Sequence, residues 1–243
     1  MSSELLPETA GRQPVFRMAY QERHSRLTTF FRLILAIPPT FVLGLWSIAL
    51  WVTVPVSWFA LLFTGRYPRG LYDFHASFAR YNTFVSGYSY LASDRWPGFS
   101  GTSPGYPVQL AVGPPLERYD RVKVALRIVL VIVPALIAYA MGLVMSVAAI
   151  IAWFAIVFTG KLPQGIFQML HLGMSYVVRV TPYYLLLTED WPQFTQAEDR
   201  EVLAAGEPAL PAPPAGSGPR GDERGASELP GGFEPPSPPA GSS

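Results

Sequence analysis

Two long uncharged runs dominate the hydrophobic pattern of this chain, one from Leu33 to Gly65 and one from Ile128 to Gly160. Runs of this length without charge are typical of transmembrane segments. As one straight helix, each 33-residue run would be about 50 Å long, against a hydrocarbon core of about 30 Å. Two short crossings per run fit the bilayer better than one strongly tilted helix.

Basic residues flank both ends of each run. They are Arg23, Arg26 and Arg32 before the first run, Arg66, Arg69 and Arg80 after it, Arg118, Arg121, Lys123 and Arg127 before the second, and Lys161 and Arg179 after it. A single crossing would put basic clusters on both membrane faces, whereas a hairpin puts them on one face, as the positive-inside rule prefers. We therefore predict two transmembrane hairpins, with turns near 45–47 and 141–142 and both termini cytoplasmic.

The two runs belong to an internal repeat with an offset of 95 residues. Shared positions include Glu22/Glu117, Arg26/Arg121, Trp58-Phe59-Ala60/Trp153-Phe154-Ala155, Phe63-Thr64-Gly65/Phe158-Thr159-Gly160 and Trp96-Pro97/Trp191-Pro192. The predicted organisation is a flexible N-terminus (1–13), membrane repeat 1 (14–100), a linker (101–106), membrane repeat 2 (107–196) and a disordered acidic tail (197–243). The short alternating segments 14–20 and 107–112 predict one strand at the start of each repeat.

A turn motif closes each run, as F-T-G-R-Y-P-R-G and F-T-G-K-L-P-Q-G. Gly65 and Gly160 suit the left-handed position that ends a helix. Pro68 and Pro163 are expected to turn the chain, and Gly70 and Gly165 to permit a close approach.

An amphipathic helix is predicted after each motif. Its apolar stripe is Leu71, Phe74, Phe78, Tyr81, Val85 and Tyr88 in repeat 1, and Ile166, Met169, Gly173, Tyr176 and Val180 in repeat 2. Such a helix can lie in the membrane interface, pack on the hairpins, or do both at once, and we expect the interfacial position. The segments SYLAS and YYLLLT are candidate strands that would complete a small cytoplasmic sheet with the leading segments.

Composition agrees with a membrane protein and excludes thiol chemistry. Half of the 243 residues are hydrophobic, 14% are charged and none is cysteine. Residues 1–196 carry a net charge of +6 and residues 197–243 a net charge of −5. The N-terminus lacks the pattern of a cleavable signal peptide. The Pro- and Gly-rich tail has too little apolar surface to fold, although its prolines could serve as a polyproline ligand.

The combined pattern resembles the bacterial membrane family named domain of unknown function 4389. The residues that carry the resemblance are Trp58 to Gly70, Trp153 to Gly165, Trp96-Pro97 and Trp191-Pro192. Repeat 2 departs from the pattern at Leu162, Gln164 and Gln168. The resemblance implies a multi-pass protein of the bacterial inner membrane and brings no activity, cofactor or catalytic residue.

No catalytic, cofactor or metal site is predicted. His24, His75 and His171 have no histidine at the equivalent position of the other repeat and no acidic residue at metal-ligand spacing. His75 and His171 are interpreted as residues of the polar helix faces. Neither run contains an ionisable residue, which counts against a proton-coupled transporter.

The repeated cations are the candidate contacts to lipid headgroups or to a partner protein. They are Arg23, Arg26, Arg32, Arg66, Arg69, Arg118, Arg121, Lys123, Arg127 and Lys161. The simpler interpretation is that they only fix the membrane topology. Nucleic-acid binding is not expected.

The sequence favours a mainly helical, polytopic and non-enzymatic membrane protein that acts as a scaffold or accessory subunit for a membrane partner or anionic lipid. The alternative is a small transporter or channel between the repeats, lined by Ser47, Thr53, Ser57, Gly142 and Ser146. A weaker hypothesis is a lipid-modifying enzyme that uses Asp94 or His171.

Overall fold

The computed structural model describes residues 14–99 and 105–194, and the chain there is mainly helical. Repeat 1 contains β1 (Val15–Met18), α1 (Arg26–Phe30), α2 (Arg32–Leu35), α3 (Ile37–Thr64) and α4 (Arg69–Ser89). Repeat 2 contains β2 (Val108–Ala111), α5 (Arg121–Leu130), α6 (Ile132–Thr159) and α7 (Gln164–Tyr184). The predictions for 1–13, for 101–104 and for the tail 197–243 lie outside the described residues.

Most of each apolar run forms one long helix, so the predicted hairpins are wrong. α3 and α6 each have 28 residues, and the expected turns at 45–47 and 141–142 fall inside them, more than two helical turns from either end. These sites lack the polar loop residues that would satisfy the backbone groups freed by a turn. Pro38 and Pro39 lie in the first turn of α3, where the missing amide hydrogens cost no helical hydrogen bond.

The segments Arg32–Thr64 and Ile132–Thr159 are long and apolar enough to cross a membrane. Only 11% and 22% of their most apolar windows are buried inside the protein. The core helix of a soluble protein would be mostly buried, so the exposure agrees with an apolar environment around these helices.

In each repeat the long helix turns back onto the next helix. The turns are closed by Gly65 and Gly160, with φ of 68° and 75°, which confirms the predicted left-handed helix ends. Trp46 of α3 packs on Phe74 and Phe78 of α4. Between α6 and α7, a Cβ on Gly173 would lie only 2.6 Å from Met145 Cγ, so glycine permits this approach.

Pro68 and Pro163 immediately precede α4 and α7 and act as their extended N-cap residues. A Cβ on Gly70 or Gly165 would meet no atom within 4 Å. The close approach that we expected at these two glycines is therefore wrong, because the first turns of α4 and α7 are exposed.

α4 and α7 form a middle layer between the long helices and the sheet. Phe74 and Phe78 face α3, while Gly87 lies on the opposite side of α4 and a Cβ there would be 2.8 Å from Val108 of β2. On α7, His171 packs against Phe16 of β1. The packing alternative is therefore correct, because both sides of these helices are covered, and their position relative to a membrane interface stays a prediction.

The sheet combines one strand from each repeat, as predicted. β1 and β2 pair antiparallel, with Val15 opposite Ala111 and Met18 opposite Val108. SYLAS (89–93) and YYLLLT (183–188) are wrongly predicted as strands, because they form the ends of α4 and α7 and the loops that follow.

The two ends of the described chain meet on the sheet side of α7. The guanidinium of Arg179 donates to the carbonyls of Pro14, Gln193 and Phe194 at 3.2–3.4 Å. The chain therefore enters and leaves the described body at the same place, on the side opposite α3 and α6.

We predict that Gly65→Ala and Gly160→Ala each lower the free energy of unfolding by about 1–2 kcal/mol, because L-residues are strained at positive φ. The loss should be larger at Gly160, where a Cβ would lie 3.1 Å from Arg26 Nε. Thermal unfolding in mild detergent measures the effect. Gly70→Ala and Gly165→Ala are the matched controls and should cost nothing; equal losses in all four variants would contradict the prediction.

Candidate functional site

The E-R-x-x-R segment of each repeat lies against the F-T-G-[RK] segment of the other repeat. We call the contact of 22–26 with 158–162 the first junction, and that of 117–121 with 63–67 the second junction. In the first junction, the His24 amide donates to Gly160 O at 3.1 Å and the Leu162 amide to Glu22 O at 2.9 Å. In the second, the Tyr119 amide donates to Gly65 O at 2.9 Å.

Each junction caps the C-terminus of a long helix, where backbone carbonyls lack helical partners. Arg26 Nη2 donates to Thr159 O at 3.1 Å. At the equivalent place, the Arg121 guanidinium lies beside Gly65. A cation at a helix C-terminus is also favoured by the helix dipole. The second arginine of E-R-x-x-R therefore stabilises the end of the other repeat's helix.

The threonine of the turn motif closes the same helix ends from within. Thr64 Oγ1 donates to Ala60 O and accepts from the Arg66 amide at 3.1 Å. Thr159 repeats this arrangement with Ala155 O and the Lys161 amide.

A tryptophan pair extends the exchange between the repeats. Trp58 Nε1 of α3 donates to Val124 O of α5 at 2.8 Å, and Trp153 Nε1 of α6 donates to Thr29 O of α1 at 2.9 Å. These are equivalent bonds at opposite ends of the bundle. They show that α3 and α6 are antiparallel, with the start of each run beside the end of the other.

The ten predicted basic residues separate into exposed and buried groups. Arg23, Arg26 and Lys161 are exposed at the first junction, and Arg66, Arg69, Arg118, Arg121 and Lys123 are exposed at or beside the second. Arg32 and Arg127 are only 3% and 5% exposed. These two are therefore excluded as headgroup contacts, because the protein itself surrounds them.

The buried arginines hold the loop that follows the middle-layer helix of their own repeat. Arg32 Nη1 donates to the carbonyls of Tyr88 and Ser93 at 2.6 and 2.8 Å. Arg127 Nη1 donates to the carbonyls of Tyr183 and Thr188 at 2.7 and 2.9 Å. We call each arginine with its two carbonyls an arginine clamp.

The W-P motif completes each clamp by stacking. The guanidinium of Arg32 lies 4.4 Å from the ring centre of Tyr88, and Trp96 packs edge-on against the same tyrosine. Arg127, Tyr183 and Trp191 repeat the stack, with the cation 3.9 Å from the ring centre. Leu91 and Leu186 adopt positive φ in these loops, a conformation that costs energy for leucine and that the clamp supports.

An acidic residue links each clamp to the start of a run. Asp94 accepts from His24 Nδ1 at 2.8 Å, from the Ser25 amide at 2.7 Å and from Arg32. Burial opposes the charge of Asp94, but the bonds from His24 and Ser25 and the charge of Arg32 together lower the pKa of the carboxyl. In repeat 2, Glu189 accepts from the Asp120 amide at 2.6 Å and pairs with Lys123 at 3.4 Å.

A buried polar chain occurs in repeat 1 and is replaced by apolar residues in repeat 2. His75 contacts the Tyr67 hydroxyl at 2.6 Å and the Thr53 hydroxyl at 2.9 Å, and the Tyr67 hydroxyl donates to Leu185 O at 2.9 Å. The equivalent residues of repeat 2 are Ala148, Leu162 and Leu170, all buried. Burial lowers the pKa of His75 to about 4.

His75 and His171 are both buried, so their assignment to polar helix faces is wrong. Each lies in the middle layer, where α3 covers His75 and β1 covers His171. The single-sequence pattern did not reveal this, because the helical stripe marks only one covered face and these helices have two.

An open groove of about 520 Å³ lies above α4 and α7, between the middle of α3 and the first two turns of α6. Ser47, Asn82 and Thr181 contribute polar atoms to a mostly apolar lining. Of the five residues predicted to line an inter-repeat pathway, Ser47 lies in the groove. Thr53 is bonded to His75, Ser57 is a fully buried residue of α3, and the Ser146 hydroxyl bonds to Gly142 O.

Within residues 14–99 and 105–194, no group of three or more His, Cys, Asp or Glu side chains is placed to hold a metal ion. The arrangement instead offers two exposed basic ends joined by an exposed apolar layer. Such a surface can bind phosphate groups at its ends and acyl chains between them.

A family model described as Domain of unknown function (DUF4389) matches residues 26–100 and 121–196. The two matched segments coincide with the two repeats and confirm the resemblance inferred from the motifs. No curated protein and no solved structure matches this chain.

We predict that Arg32→Lys and Arg127→Lys each lower the free energy of unfolding by about 1–3 kcal/mol. An ammonium cannot keep the planar stack and both carbonyl bonds together. The midpoint of thermal unfolding in mild detergent measures the loss. Arg66→Lys, at an exposed position, is the control, and a loss there as large as at Arg32 would refute the structural role of the clamp.

We predict that His75 makes the native state less stable as the pH falls from about 6.5 to 4. Below pH 6.5 the unfolded chain binds a proton that buried His75 does not accept, so the free energy of unfolding decreases by at most about 3 kcal/mol and levels off below pH 4.

The matched variant combines Thr53→Ala, Tyr67→Leu and His75→Leu, which copies the apolar residues of repeat 2. It should fold, and its unfolding midpoint should decrease less on acidification than that of the native chain. The same pH dependence in the variant and in the native chain would contradict the assignment to His75.

Proposed function

This chain belongs to the DUF4389 family, and we propose that it is a non-enzymatic integral protein of the bacterial inner membrane. Its role would be that of a scaffold or accessory subunit that binds anionic phospholipid headgroups at its two junctions. Both termini would lie on the cytoplasmic side.

The observation that carries the proposal is an exposed apolar layer with exposed cations at both of its ends. Large side chains such as Trp51, Phe63, Leu136 and Phe158 are more than half exposed along the two long helices. Patches of this extent are rare on soluble monomers and mark membrane or protein interfaces.

The charges at the junctions favour lipid phosphate as the ligand. Arg66 and Arg69 follow the end of α3, and Arg118 and Arg121 lie beside them through the second junction. Guanidinium groups bind phosphate oxygens well, and each basic residue near an anionic surface contributes about 1 kcal/mol. The cations therefore lie where headgroups would border the apolar layer.

The non-enzymatic assignment is supported by what the repeated ionisable residues do. Arg32, Arg127, Asp94 and Glu189 are engaged in bonds that hold loops and helix starts together. The weaker enzyme hypothesis relied on Asp94 and His171, and both are used in packing or ion pairing inside the body. The termini assignment is supported by the convergence of Pro14 and Phe194 at Arg179.

We predict that removing two exposed cations from either junction weakens binding of phosphatidylglycerol. The equivalent double variants are Arg23→Gln with Lys161→Gln, and Arg66→Gln with Arg118→Gln. At about 1 kcal/mol per charge, each pair should reduce affinity about thirtyfold at low salt and less at high salt. Titration of the detergent-purified protein with phosphatidylglycerol, and with phosphatidylcholine as the neutral comparison, measures this.

Arg17→Gln, on the sheet, is the control and should leave the binding unchanged. Unaltered phosphatidylglycerol affinity in a variant that combines all four substitutions would refute lipid binding at the junctions. If that variant instead loses a co-purifying acidic protein while its lipid binding is retained, the cations serve a protein partner.

A further inference from the structure

We propose that α3 and α6 lie parallel to the membrane plane within one leaflet and do not cross the bilayer. The inference rests on the proposed membrane function and specifies how the protein sits in the lipid. The apolar layer would be inserted from the cytoplasmic side, with α4 and α7 beneath it and the sheet facing the cytoplasm.

The first argument comes from the layers that accompany the long helices. α4 runs antiparallel along α3, and β2 runs along the other side of α4, from Tyr106 near Phe84 to Gly113 near Tyr72. If α3 stood upright in the bilayer, these elements would stand at the same depth. An open two-stranded sheet exposes unpaired backbone groups that lipid cannot satisfy.

Charged residues about halfway along the layers that accompany the long helices also argue against an upright body. Arg17 lies on β1, Arg80 in the middle of α4 and Arg179 in the second half of α7. In an upright body these side chains would lie near the centre of the bilayer, where charge is costly. With the long helices flat in the leaflet, all three residues belong to the layers on the aqueous side.

The second argument comes from the repeat symmetry. Equivalent residues of the two repeats lie at opposite ends of the antiparallel pair, as the bonds of Trp58 and Trp153 show. An upright body would therefore expose one basic junction on each face of the membrane, against the positive-inside rule. A flat body places both junctions at the same surface.

The dimensions also favour the flat arrangement. A 28-residue helix is about 42 Å long and would have to tilt by more than 40° to fit a core of about 30 Å. A helix lying flat is about 10 Å across and fits one leaflet, whose hydrocarbon is about 15 Å thick.

The lipid-facing side of each helix is continuous along its length. On α3, Phe41, Ile48 and Phe59 share one face, because spacings of seven and eighteen residues are nearly whole numbers of turns. All three are exposed, as are the equivalent residues Leu136, Leu143 and Phe154 of α6.

Single cysteines test the inference in a chain that has no native cysteine. Gly70→Cys and Gly165→Cys are equivalent positions at the two ends of the bundle, and a Cβ at either meets no atom within 4 Å. Both should react with a membrane-impermeant maleimide in inverted membrane vesicles, and neither in right-side-out vesicles.

Labelling of the two sites from opposite sides would overturn the inference and leave the proposed membrane function standing. So would labelling of neither site in intact vesicles when both react in detergent, because the ends would then lie inside the lipid. Recovery of the native chain in the soluble fraction, or its release by carbonate, would refute the membrane function itself.

Depth measurements along α3 give a second readout that does not depend on labelling the two ends of the bundle. Spin labels attached at Phe41→Cys, Ile48→Cys and Phe59→Cys should show the same depth, from the ratio of oxygen to nickel-chelate accessibility in reconstituted vesicles. In an upright helix the outer two labels would differ in depth by about 27 Å multiplied by the cosine of the tilt. A graded series of depths would overturn the flat arrangement.

Discussion

The fold depends on the exchange of helix-end contacts between the two repeats. Each long helix ends in carbonyls that its own repeat leaves without partners, and the E-R-x-x-R segment of the other repeat supplies the donors. Trp58 and Trp153 repeat the exchange nearly two turns before the ends of the long helices. One repeat alone would lose these bonds, and a buried backbone group left unpaired costs about 1–3 kcal/mol. The two repeats therefore stabilise each other.

The arginine clamps add a second constraint, which acts within each repeat. Arg32 and Arg127 fix the loop after the middle-layer helix, and that loop supplies Asp94 or Glu189 to the residues that begin the run. The clamp therefore connects the loop after α4 or α7 to the junction at the start of the same repeat. That junction caps the long helix of the other repeat. Burying an arginine is costly without partners, and here two carbonyls and a tyrosine ring provide partners for each guanidinium.

The sequence predicted the repeat, the turn glycines and the shared sheet, because each has a local signature. Gly65 and Gly160 follow the last apolar residue, and the offset of 95 residues is visible without a structure. The roles of Arg32 and His75 could not be predicted from the sequence, because residues buried from two sides leave no helical period in the hydrophobic pattern. Their partners are two backbone carbonyls and the Asp94 carboxylate for Arg32 and two hydroxyls for His75, a combination that a sequence motif does not encode.

The predicted hairpins failed for an instructive reason. Length and flanking charge distinguish one crossing from two, but they do not exclude a helix that enters the membrane without crossing it. A continuous helix satisfies its own backbone hydrogen bonds, whereas turns at 45–47 and 141–142 would expose carbonyls to lipid. Basic residues at both ends of each run then need a common surface. A long helix lying flat provides one without any turn, so the same charges that suggested hairpins support the flat arrangement.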